Sequence, residues 1–118
     1  MKKLLLILLF IPSLSFADPW SQDDIYREVA FQAVTIIDWG QTRDIAKNTD
    51  KFFEHNPFLG NSPSINSVDT YFISAIIIHV IVSNNLSSEY RKYFQYISIG
   101  IESNSAIKNA AHGIHVNF

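Results

Sequence analysis

The chain has 118 residues, no cysteine and a formal charge of −2 at neutral pH. Charged residues make up 17% of it, below the roughly 25% of an average soluble protein. The missing cysteine excludes a disulfide frame, a thiol nucleophile, a Cys-based metal site and a lipid anchor on cysteine. With no basic patch, nucleic acid is not expected as a partner.

The N-terminus reads "MKKLLLILLFIPSLSFA". Lys2 and Lys3 form a basic start, Leu4 to Phe16 is mostly apolar, and Ser15 and Ala17 set small residues at −3 and −1 of a cleavage site. This pattern is a secretory signal peptide. The run is short of the roughly 20 apolar residues of a membrane span, and Pro12 interrupts it. Residues 1–17 are therefore expected to be removed before Asp18. The chain is expected to be exported, to the periplasm or to the inner membrane with periplasmic exposure. Residues 18–118 then form a single helical domain with 7 basic and 11 acidic residues.

Three main helices are expected in it, an all-α bundle with a long packed connector. Ser21 and Asp24 have the spacing of an acidic capping box, and helix 1 is expected from about Asp23 to Lys47. Projected at about 100° per residue, Glu28, Gln32, Thr35, Asp38 and Thr42 fall in one arc of about 120°. Val29, Ala33, Val34, Ile36 and Ile37 fall opposite. Asn48 to Ser67 is a connector rich in Asn, Ser, Pro and Gly, with Phe52, Phe53, Phe58 and Leu59 expected to pack onto the helices.

Helix 2 is expected from Ser67 or Val68 to Ser83, with Asp69 in its first turn. It is apolar all round apart from Ser74 and His79. Its uncharged stretch, Thr70 to Ser83, reaches about 21 Å, short of a hydrocarbon core of about 30 Å. Helix 3 is expected from Ser87 or Ser88 to about His112, with Gly113 as its cap. Gln95, Ser98, Glu102, Ser105, Asn109 and His112 align on it within about 100°.

The stripes have two readings. In a soluble domain helix 2 is the buried centre and the stripes of helices 1 and 3 face water. That reading is preferred on hydropathy, because no segment after residue 17 is a full-length apolar span. In a membrane the apolar faces meet lipid, the stripes face inward, and Asp38, His79 and Glu102 converge.

The motifs Asp38-Trp39-x-Gln41-Thr42, Glu54-x-Asn56-Pro57-x-Leu59-Gly60, Tyr71-Phe72 with His79, Arg91-x-x-Phe94-Gln95 and Ile99-Gly100-x-Glu102 run through the chain. In them it resembles small bacterial and phage-encoded proteins of no established activity. The resemblance implies a membrane-associated helical bundle and no particular mechanism.

Asp38, Gln41 and Thr42 share a helix face and suit either a cation or polar ligand, or a hydrogen-bonded seam. Glu54 and Asn56 anchor the connector, with Glu54 aimed at a pocket beside Asp38 as the functional alternative. A buried His79 needs a partner, for which Asp38 or Glu102 is the natural choice. His112 and His115 are the weak metal candidates; no metal or other cofactor is expected. There is no Gly-x-Ser-x-Gly elbow and no phosphate-binding loop. The aromatics Tyr90, Tyr93, Phe94 and Tyr96 are expected in the core, with a membrane interface as the alternative.

The leading expectation is a non-enzymatic structural or interaction protein of the cell envelope with an internal polar network, its partner another envelope protein or a second copy. The alternatives are a small metal-binding protein or hydrolase using Asp38, His79 and Glu102, and a soluble periplasmic binding or inhibitor module.

Overall fold

A computed structural model describes residues 18–118. The expected signal peptide lies outside the described residues. The rest is all-α: α1 (Gln22–Lys47), α2 (Ile65–Asn85) and α3 (Ser88–Ala111), with no strand among the described residues.

Each start has a local cause. The Ser21 hydroxyl accepts from the Asp24 backbone N–H at 3.1 Å, and the Asp24 carboxylate accepts from the Ser21 N–H at 2.9 Å. This is the capping box read from the sequence, and such caps contribute about 1 kcal/mol. Ser64 caps α2 by accepting from the Ser67 N–H. That start lies two or three residues before the expected one, so Asp69 is not in the first turn. Asp69 instead accepts from Arg43 and from the Trp39 indole, tying α2 to α1. Ser87 makes no side-chain cap on α3; Asp18 supplies it from the other end of the sequence, accepting from the Ser88 N–H at 2.8 Å. Gly113, with φ of 78°, ends α3 in the left-handed conformation that a glycine adopts without strain.

Helix α1 is the centre of the bundle. α3 runs parallel to it, joined from Asp24–Arg91 at their starts to Gln41–Ala106 near their ends. α2 runs antiparallel, with Ser83 level with Glu28 and Asp69 level with Arg43. The buried positions of α1 include 24, 28, 31, 35, 38, 42 and 45. That alternation of four and three is the seam of a coiled coil, normally filled with apolar side chains. Here it reads Asp, Glu, Phe, Thr, Asp, Thr, Ile.

The distribution of polarity is inverted. Asp24, Glu28, Thr35, Asp38, Gln41, Thr42, His79, Arg91 and Gln95 are all buried, while Ile25, Val29, Ile36, Ile37, Ile77, Ile78, Ile97 and Ile101 are exposed. Of the two readings of the stripes, the inward-facing one describes the packing, and the one preferred on hydropathy, with α2 as the buried centre and the stripes facing water, does not. α2 buries only Val68, Phe72, His79 and Ser83. Tyr90, Tyr93 and Tyr96 are exposed too, not core, as are Phe53 and Phe58 of the connector. The apolar core is small: Phe31, Ile45, Val68, Phe72, Ala106 and Ile114.

Residues 114–118 fold back over the end of α1. The Asn117 N–H donates to the Gly40 carbonyl at 3.0 Å. The Asp44 carboxylate accepts from the His115 N–H and the Asn117 amide, and the Lys47 ammonium donates to Asn117 and Phe118. Gly40 permits this approach, since a Cβ there would lie 2.5 Å from Val116 Cγ1 and 2.7 Å from Phe118 Cε2.

Candidate functional site

The polar groups of the seam form three stations along the bundle. The first is built on Arg91, whose side chain is fully buried. Its guanidinium donates to Asp24 Oδ2 at 2.9 Å and to the carbonyls of Ser83, Leu86 and Asp18 at 2.7–2.9 Å. It also lies over the Trp20 ring. One side chain thus joins all three helices and the segment before α1. Its forked donors match such a set of acceptors, which a lysine would not. Arg27 pairs with the same Asp24 and donates to Gln95 Oε1. The Gln95 amide in turn donates to the Asp24 carbonyl and to Glu28 Oε2.

The second station is Glu28 and His79. His79 Nδ1 lies 2.9 Å from Glu28 Oε1, and the ring is stacked between Phe31 and Phe94 at centroid distances of 3.5 and 4.5 Å. Glu28 also receives donors from Gln95 and Ser83. An ionised carboxylate only accepts, so the donors around Glu28 assign the proton to Nδ1. Nε2 is buried without a partner. The expected partners of His79 were Asp38 or Glu102. The acid that holds it is Glu28, one of the stripe residues, three turns nearer the start of α1.

The third station brings together most of the predicted site. Asp38 hydrogen-bonds to the Glu102 carboxyl, to the Asn109 amide at 3.0 Å and to Thr42. The Gln41 amide donates to the Ala106 carbonyl, and its oxygen accepts from Asn109. Burial, the adjoining Glu102 carboxyl and the more distant Glu54 push Asp38 up to about 8. Burial also raises Glu102, against the opposing influence of Asp38 and His79. Two carboxyls in contact out of bulk water hold one proton between them at neutral pH.

The pair opens into a cleft of about 370 Å³ under the connector, walled by Glu54, His55, Asn56, Asn104 and Lys108. Asn56 shapes this cover: its side chain accepts from the Phe58 N–H, and its carbonyl accepts from the Leu59 and Gly60 N–H groups. Gly60 takes the left-handed φ of 75° that the turn needs. Glu54 Oε1 accepts from the Asn56 N–H, while Glu54 Oε2 and Glu102 Oε2 have no partner.

The structure therefore gathers Asp38, Gln41, Thr42, Glu54, Asn56 and Glu102 at one end of the bundle and places His79 on Glu28 instead. His112 Nδ1 lies against the Lys108 carbonyl, and His115 is held at Asp44 by its backbone. Neither lines the cleft, and no set of three His, Asp or Glu side chains among the described residues is arranged to hold a metal. Asp24, Arg91, Asn109 and Asp44 were not singled out as site residues. Arg91 and Gln95, four apart, carried the signal: on a helix they share a face, and that face is buried. Compared with protein families, curated proteins and solved structures, the chain matches none.

Proposed function

We propose that this is an exported cell-envelope protein seated in a membrane, with a structural or interaction role carried by its internal polar seam. The observation behind the reading is the inverted burial. Between Asp23 and Lys47 every exposed residue of α1 is apolar: Ile25, Tyr26, Val29, Ala30, Ala33, Ile36 and Ile37. On α3 the corresponding band runs from Tyr93 to Ile101, and on α2 from Ile73 to Val82. Exposed charges sit beyond these bands, at Asp23, Glu89 and Lys92 on one side and Lys47, Asp50 and Lys108 on the other. An apolar patch of this extent in water is a liability, whereas against acyl chains it costs nothing. Tyr26, Tyr90, Tyr93 and Tyr96 collect toward one side of the band, as side chains with an apolar body and a polar tip do at a lipid–water boundary. Among the described residues one helix, α2, is long and apolar enough to cross a bilayer.

In this reading the Asp38–Glu102 cleft lies beyond the lipid-facing stretches 25–37, 73–82 and 93–101, where the surface turns polar at Thr70, Asn104 and Lys108. A structural seam accepts Asp38→Asn, since an amide still hydrogen-bonds; a general base or cation ligand does not.

Fractionation of cells expressing the full chain, with an alkaline carbonate wash and mass spectrometry of the mature N-terminus, tests the proposal. Retention in the washed membrane with a chain starting at Asp18 is the expected result. A chain released by the wash, or one that is monodisperse in buffer without detergent, overturns it.

A further inference from the structure

We propose that the groove between α2 and α3 binds an amphiphile: an apolar chain carrying a hydrogen-bond-donating head, hydroxyl or ammonium, that reaches the Glu102 carboxyl. Both outer helices pack on α1 and scarcely on each other, which leaves a groove of about 420 Å³ between them. Its walls are almost wholly apolar, from Phe31, Ala75, Ile78, Phe94 and Ile101. It opens at the surface past Ser74, Ile78 and Ile101, all of them exposed. Its size is that of a site for a small ligand.

The groove abuts the polar cleft: Tyr71, Ile101 and Glu102 line both, so an apolar groove and the cleft of Asp38 and Glu54 share one wall. Two buried oxygens beside this wall lack partners, Glu102 Oε2 and Glu54 Oε2. Carboxylate oxygens only accept. Buried polar atoms without partners are costly, and both call for donors. A fatty acid would bring a further acceptor and a further negative charge to Asp38, Glu54 and Glu102. An alcohol or an ammonium brings what is missing.

The groove belongs to the helices whatever surrounds them, so this inference stands apart from the membrane proposal and is tested separately. Native mass spectrometry of the full chain, released from nonionic detergent, would be run with dodecylamine, dodecanol and dodecanoate. Stoichiometric binding of the amine or the alcohol, at least tenfold tighter than dodecanoate, is expected; whichever binds tighter identifies the head. Ser74→Trp at the exposed mouth obstructs the chain, and Glu102→Gln removes the charge that meets the head. Each is expected to weaken binding tenfold or more with helicity unchanged by circular dichroism. Equal or tighter binding of dodecanoate, no binding of any of the three, or a Ser74→Trp chain that binds as well as the parent overturns the proposal.

Discussion

Arg91 Nη1 reaches Asp24 Oδ2 at 2.9 Å across the interface of α1 and α3, and neither side chain meets solvent to any useful degree. The charge is compensated by that carboxylate and by three carbonyls, those of Ser83 and Leu86 at the end of α2 and of Asp18 before α1. Removing one partner of such a set strands the other charge, at about 3–5 kcal/mol. Arg91→Ala is therefore expected to lower stability by about that amount, and Arg91→Lys by a large share of it, because an ammonium cannot fork to four acceptors. Chemical denaturation followed by circular dichroism checks this. A lysine variant as stable as the parent would show that the charge matters and the fork does not.

Glu28 and His79 are unequal partners. Glu28→Ala strands three buried donors at once, from His79, Gln95 and Ser83, and releases a fourth, from the half-buried Gln32. Each unmet buried donor costs about 1–3 kcal/mol, and the three are not additive. His79→Phe keeps the stack between Phe31 and Phe94 and leaves Glu28 three donors, from Gln95, Ser83 and Gln32. The glutamate variant should unfold at a clearly lower denaturant concentration than the histidine variant. The reverse order would place the stability in the imidazole and contradict the hydrogen-bond pattern.

The Asp38–Glu102 pair makes stability depend on pH in the unusual direction for carboxylates. The Asp38 carboxyl titrates near 8 in the fold and near about 4 when unfolded. The folded chain thus binds more protons between these values, and stability must fall as pH rises through them. The contribution is complete below about pH 4 and lost above about pH 8. Denaturation midpoints at pH 5 and pH 9 are expected to favour pH 5, and Asp38→Asn should remove most of the difference. A midpoint that rises toward pH 9 in the parent would mean both carboxyls are ionised in the fold.

Gly40 is held to glycine by contact and not by dihedral angle. Its missing Cβ makes room for Val116 and Phe118, and Phe118 meets the Trp39 ring edge-on at 5.5 Å. Gly40→Ala is expected to cost about 1–3 kcal/mol through overpacking and to release residues 114–118. Limited proteolysis near the C-terminus and a change in Trp39 fluorescence report it. An alanine variant with an unchanged cleavage pattern would mean the tail adjusts without leaving.

The period of the helices was readable from the sequence, and the side on which they pack was not. Glu28, Thr35, Asp38 and Thr42 line up on any helical projection, and the capping box at Ser21 and Asp24 sets where the helix begins. A stripe of acids facing water and one facing its neighbours have the same spacing. Only the partners separate them, and Arg91, Gln95 and Asn109 come from 65 to 75 residues away. Hydropathy was misleading at α2 for the same reason: a helix apolar on every face is as much at home on the outside of a polar bundle as inside a soluble one. The cleft was more legible, because Asp38, Glu54 and Glu102 lie in short polar motifs. That His79 belongs to Glu28 depended on helix register, which no local pattern records.

An interior held by directional bonds separates the information that defines this fold from the surface that meets its surroundings. The heptad-spaced acids, the guanidinium and the amides accept only one register, since a slip of one residue would break every pairing between α1 and α3. Residues such as Ile25, Val29, Ile36, Ile77 and Ile97 touch little of this. The exterior can then be rewritten wholesale, with glutamate and lysine in place of isoleucine and valine, to give a polar-surfaced twin with the same internal wiring. Such a twin would keep the carboxyl pair unchanged while its surroundings are altered at will.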